Sequence, residues 1–135
     1  MVLIGVDYGK KHIGVSVGDT VSKQAKPLVG FSYTGNKWIV HLREIIDRWQ
    51  PEKIVVGLPL NADGSEQPLT KKVLCFVEAV NTEFKLPVDC VDERWSTVAA
   101  KTDLYAENKV KKIDKAMVDA HSAKLILEQW FLENA

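Results

Sequence analysis

The sequence predicts an α/β fold: a mixed five-stranded sheet, its first three strands antiparallel and the rest parallel, with helices on both faces. Two observations carry this. The first forty residues are rich in β-branched residues and glycine, in three apolar stretches separated by turns too short for a crossover helix. Beyond them, apolar residues at helical spacing alternate with short apolar runs of strand length. With 135 residues, 46% of them hydrophobic, the chain matches one ordinary domain with a sizeable core, so 1–135 is read as a single domain.

The strands expected first are 2–7, 12–18 and about 26–33, broken at Gly9-Lys10-Lys11 and at Gly18-Asp19-Thr20. Trp38, Ile39, Leu42, Ile45, Ile46 and Trp49 follow helical spacing, and Pro51 stops that helix. Residues 53–58 form a continuous apolar run, the mark of a strand buried on both faces. The polar loop Asn61–Glu66 leads to a second helix with the stripe Val73, Phe76, Val77, Val80 and Phe84. After Pro87, Val88–Asp92 reads as the fifth strand. Ser96 or Thr97 is placed to cap a short helix through about Tyr105, and a last helix is expected over about 116–132.

Composition excludes several classes of function. Eighteen basic residues balance eighteen acidic ones, so no global positive field holds a polyanion or an acidic membrane. The longest apolar run, Ile54–Leu60, is far short of a membrane span. The start, Met1-Val2-Leu3-Ile4-Gly5-Val6-Asp7, has no basic leader and is not expected to be a signal peptide. Cys75 and Cys90 show no metal-ligand spacing; they are expected as reduced, small apolar residues of a cytoplasmic protein.

Three acids stand where this architecture could bring them together. Asp7 ends the first strand; its structural alternative is a turn residue beside Gly9. Glu93 follows the fifth strand, at the usual ligand edge of an open α/β sheet; its alternative is a surface pair with Arg94. Asp119 is the only charge in the helical stripe Ala116, Ala120, Ala123, Ile126, Leu127 and Trp130, and the alanines would let that helix approach the sheet closely. A buried carboxylate needs a partner, a proton or a metal, unless Asp119 is merely a first-turn acid favoured by the helix dipole. Val118 and Leu125 lie off the stripe, so a second covered face is expected. Three carboxylates without a histidine cluster point to hard divalent cations, Mg²⁺ or Mn²⁺. Two such ions about 4 Å apart can clamp the attacking water and the leaving oxygen of a phosphodiester.

At these residues the sequence resembles a known family. Ile4–Val17, Ile54–Asn61 with Asp63–Gln67, Asp92–Thr97 with Ala99, and Val118–Ala123 with Ile126-Leu127 resemble, in order, the four motifs of the YqgF family, also called RuvX. The resemblance implies a ribonuclease H-like fold and a cytoplasmic, metal-dependent nuclease acting at the 5′ end of pre-16S ribosomal RNA in ribosome biogenesis. Its older label, Holliday junction resolvase, implies branched DNA as the alternative substrate. Matched residue by residue, Asp7, Glu93 and Asp119 would be the catalytic, metal-binding acids, with Asp92 a further candidate. Arg94 would contact phosphate through its guanidinium fork, with Lys10, Lys11 and Lys112 as further substrate contacts. The chain departs from the pattern at His12, at His121 and at Gly57-Leu58-Pro59, which lacks the acid that RuvC-type resolvases place there. His121, two residues past Asp119, is expected on the surface or against a second helix.

Rival readings are a sugar-kinase or actin-like ATPase and a non-catalytic ribosome-assembly factor. The first needs two such domains and a phosphate loop, and no GxxxxGK[ST] or GxGxxG occurs. For the second, Lys101, Lys109, Lys111, Lys112 and Lys115 would be a basic rim, or simply a solvated loop, and Trp95 and Tyr105 would stack on bases, or simply fill core. A resolvase making paired cuts would be a homodimer, whereas a single-strand ribonuclease can act as a monomer.

Overall fold

A computed structural model describes residues 1–92 and 114–134. Five strands form one sheet: β1 Val2–Tyr8, β2 His12–Asp19, β3 Gln24–Ser32, β4 Lys53–Leu58 and β5 Val88–Asp92. Their order is β3-β2-β1-β4-β5. β1 pairs antiparallel with β2, and β2 with β3, while β4 runs parallel to both β1 and β5. The mixed sheet expected from the sequence is therefore the observed one. Pro27 is tolerated because β3 is an edge strand, and it sits at a register shift opposite Val15 and Ser16.

Helices α1 (Trp38–Trp49) and α2 (Pro68–Phe84) cover one face. Gln50 ends α1 in the left-handed conformation with its N–H on the Ile46 carbonyl, just before Pro51. Alternation along the strands sends Ile4, Val6, Ile13, Val15, Ile54 and Val56 into this layer, where they pack with Trp38, Leu42, Val73 and Phe76.

Helix α3 (Lys115–Glu133) covers the other face. Its C-terminal half packs Ile126, Leu127, Trp130 and Phe131 against Leu3, Val55 and Val91. Its N-terminal half lies almost directly on the backbone of the sheet. A side chain on Gly14 would overlap the carbonyl of Asp119, and one on Gly30, Gly14's partner in register, would come within 2.5 Å of the Ala116 carbonyl oxygen. Ser16, fully buried, donates from Oγ to the Ala123 carbonyl at 2.7 Å. Every residue from Val118 to Ala123 is buried, so the second covered face expected at Val118 is present.

The cysteines correct an expectation. Both Cys75 and Cys90 are free thiols on exposed residues rather than core fillers. Cys90 points away from the α3 layer occupied by its neighbour Val91, and its thiol is pushed up by desolvation and by Asp89. The short helix expected through Tyr105, with Trp95, lies outside the described residues.

At the far end of α3, Trp130 Nε1 and Lys53 Nζ both donate to Asp89 Oδ2, at 2.8 and 3.0 Å. Partial burial pushes the Asp89 carboxyl up, but these two donors outweigh it and hold it below its ordinary value of 3.8. A folded-state value below the unfolded one means stability that is present above pH 3.8 and lost as pH falls through the depressed value. An Asp89→Asn variant should thus be less stable than wild type at pH 7, with the gap narrowing below pH 3.8 in urea titrations at stepped pH. Gly14→Ala should cost about 3 kcal/mol or more, because the clash is with helix backbone that cannot rotate away. The same titrations at neutral pH measure that loss.

Candidate active site

Asp7 lies next to last in β1, half-buried, on the strand face that carries Leu3 and Gly5 toward α3. Its partner in register on β2 is Gly14. Gly14 is also the residue on which the Asp119 backbone rests. One row of the sheet therefore joins the two acids, Asp7 through pairing and Asp119 through helix contact. Gly30 continues that row on β3 under Ala116.

Asp119 is not a dipole-stabilising surface acid. Asp114 caps the helix, accepting from the Met117 N–H at 2.8 Å, and Asp119 lies a full turn further in with only 6% exposure. Its Oδ1 accepts from Lys115 Nζ at 2.7 Å, and its Oδ2 is buried with no hydrogen-bond partner among the described residues. An ionised oxygen left in that state is costly, and a hard cation is the group that would satisfy it. Two carboxylates from adjoining elements, one with an oxygen that lacks a partner among the described residues, fit a divalent ion. Among the described residues no cluster of three acids, histidines or cysteines forms. The third predicted acid, Glu93, lies outside the described residues, as do Arg94 and Lys112; Glu93 follows directly on Asp92, the half-buried last residue of β5.

Lys10 and Lys11 occupy the exposed turn immediately after Asp7 and Tyr8. That turn is clamped from the end of β3 and within itself. The Gly9 N–H donates to the His12 carbonyl at 2.8 Å, the Tyr33 N–H to the Lys11 carbonyl at 3.0 Å, and Tyr33 Oη to the Gly9 carbonyl at 2.6 Å. Burial, with the Tyr8 hydroxyl beside it, pushes the Tyr33 phenol well above its ordinary value, so the donor stays protonated. Lys10 also faces Lys72 of α2, and this contact pushes the Lys72 ammonium below its ordinary value. Lys71 and Lys72 line a groove with Tyr8, Trp38, Cys75 and Phe76 on the α1–α2 side of the same edge.

The loop Asn61–Glu66 satisfies its own polar groups. Asn61 N–H donates to the Ser65 carbonyl, and the Ser65 N–H and Oγ donate to Asp63 Oδ1. Of the two places expected for His121, the surface is excluded: it is 2% exposed, because helix contacts here extend around more than the alanine stripe. Sequence reasoning did not find Tyr33, Lys72 or the Lys115–Asp119 pair. Tyr33 and Lys72 act across elements and leave no local pattern, whereas the i, i+4 spacing of Lys115 and Asp119 was a readable signal.

The family model described as Holliday junction resolvase, RuvX, matches residues 1–133. The chain belongs to the RuvX family. A Haemophilus ducreyi relative is 43% identical over 133 residues, covering 98% of this chain and 96% of its own, and a Yersinia pestis relative is 41% identical over 134 residues with the same coverages. Both are named as candidate pre-16S rRNA nucleases. Among solved structures, Thermus thermophilus RuvC in complex with a Holliday junction substrate superposes with a TM-score of 0.61 at 19% identity, over 99% of this chain and 96% of that one. RuvC alone gives 0.59. This likeness shows the fold, ribonuclease H-like, as the resemblance implied. Within that fold Asp7 pairs with Gly14 near the carboxyl end of β1, and the Asp119 backbone rests on the same glycine.

Tyr33→Phe should release the Gly9 carbonyl and loosen the Lys10–Lys11 turn. A loss of about 1 kcal/mol is expected from one buried hydrogen bond, read by urea denaturation. Faster amide exchange at Gly9, His12 and Tyr33, with the rest of the sheet unchanged, should accompany it.

Proposed function

We propose that this RuvX-family chain is a divalent-metal-dependent nuclease that hydrolyses phosphodiester bonds of precursor ribosomal RNA, at the 5′ end of pre-16S RNA. The observation that carries the chemistry is the convergence of Asp7 and Asp119 on one row of the sheet, with Asp119 Oδ2 buried and unpartnered among the described residues. The substrate follows from the relatives' names. Such a substrate places the reaction in the cytoplasm. No helix among the described residues is long and apolar enough to cross a membrane.

In this reading Asp7, Asp119 and Glu93 hold Mg²⁺ or Mn²⁺, two ions by the chemistry of phosphodiester hydrolysis. Bound ions would supply Lewis-acid stabilisation of the scissile phosphate and a water activated at neutral pH. The chain's own residues do the rest. The packing of α3 on glycine fixes the spacing of the two acids before any ligand arrives. Lys10 and Lys11, held on a clamped turn beside Asp7, meet non-bridging phosphate oxygens, and Arg94 and Lys112 serve the same purpose. Lys72 extends the basic rim toward α2, so the backbone of a single strand would cross the sheet edge from the acids toward the groove beside Tyr8. With no net charge on the chain, affinity rests on these few contacts and should fall steeply with salt.

The test is cleavage of end-labelled RNA carrying a pre-16S 5′ extension, beside a four-way DNA junction, with Mg²⁺ or Mn²⁺. Asp7→Asn should fold normally and lose at least about a hundredfold in rate, the scale of losing a principal electrostatic element of a site. Equal rates in the two proteins would overturn the carboxylate site. Preference for the junction would assign the chain to resolvase work. Binding without cutting on both substrates would assign it to ribosome assembly.

A further inference from the structure

We propose that Lys115 is a built-in counter-ion of Asp119 which a divalent cation must displace, so that this one lysine sets how tightly the chain holds its metal. The inference rests on the metal-site reading above and concerns a residue that reading does not use.

Local helix energetics argue against a lysine at position 115. It is the first residue of α3, where the positive end of the helix dipole disfavours a cation. The order is also the poorer one for an i, i+4 pair, with the base on the N-terminal side of the acid. The ammonium nevertheless lies 2.7 Å from Asp119 Oδ1. The two side chains differ sharply in surroundings: Asp119 is 8% exposed and Lys115 is 59% exposed. Among the described residues Lys115 is the cation paired with Asp119. The lysine therefore approaches from solvent and reaches down a flexible stem onto one oxygen of a buried carboxylate. The other oxygen, Oδ2, is buried without a hydrogen-bond partner among the described residues.

This geometry suits a replaceable charge. In the ion-free chain the ammonium offsets part of the cost of an ionised acid under the helix. A divalent ion taken up by Asp119 would place two positive charges within a few ångströms of the ammonium and repel it. The stem is already more than half in water, so the lysine can swing outward without leaving a buried charge behind. Metal uptake then carries the cost of breaking this ion pair, and removing the lysine removes that cost.

Isothermal titration of Mn²⁺ alone into the full chain tests this. Lys115→Met, which keeps the apolar stem, should bind Mn²⁺ roughly two- to tenfold more tightly than wild type, the range of a partly exposed ion pair. Lys115→Arg, which keeps the cation, should stay close to wild type. Far-ultraviolet circular dichroism checks the fold, and Lys115→Gln replaces the methionine variant if that one misfolds. Unchanged or weaker binding in the charge-free variant would overturn the counter-ion role, weaker binding being the signature of a lysine that merely positions the helix. If wild type binds Mn²⁺ and the variants do not differ, only this inference fails. If neither wild type nor the charge-free variant binds the ion, the metal-site reading fails and takes this inference with it.

Discussion

The close seating of α3 on the sheet is the constraint on which the rest of the structure depends. A helix usually stands off a sheet by a layer of side chains. Here Gly14 and Gly30 remove that layer under the first turns of the helix, and the Ser16 hydroxyl bonds to the helix backbone itself. The result is that an acid-bearing turn of the helix rests on Gly14, the residue paired with Asp7 on β1. Packing of this kind leaves the helix backbone little room to move relative to the strands beneath it.

The helix that meets this constraint is divided in its chemistry. Its C-terminal half is an ordinary apolar anchor: Ile126, Leu127, Trp130 and Phe131 fill the layer over Leu3, Val55 and Val91, and the Trp130 indole is tied to Asp89. Its N-terminal half gives up apolar volume for proximity. The burial of the last turns offsets the cost of the first, where an acid lies buried with one oxygen unpartnered among the described residues.

Charge follows the same local logic. A chain with eighteen bases and eighteen acids cannot gather a polyanion by its overall field. What the fold does is place its charges: acids on the α3 side of the sheet edge, and Lys10 facing Lys72 on the rim at the end of β1. Lys115 spans the two populations, a rim base paired with an interior acid.

Much of this was legible in the residues. Strand alternation, the glycine-rich opening, the Pro51 stop and the continuous run 53–58 each have a local physical cause, and β1 to β5, α1, α2 and α3 all stand where those causes put them. Asp7 and Asp119 were legible as well, the one as an acid closing an apolar strand, the other as a lone charge in an apolar stripe. What sequence could not decide was distance. That Asp7 and Asp119 share Gly14 depends on the register of β1 against β2 and on the depth at which α3 packs. The burial of His121, the exposure of both cysteines and the clamp from Tyr33 are outcomes of the same kind. Local periodicity reports which way a side chain points from its own element. Only the packing of elements far apart in the chain determines what it meets there.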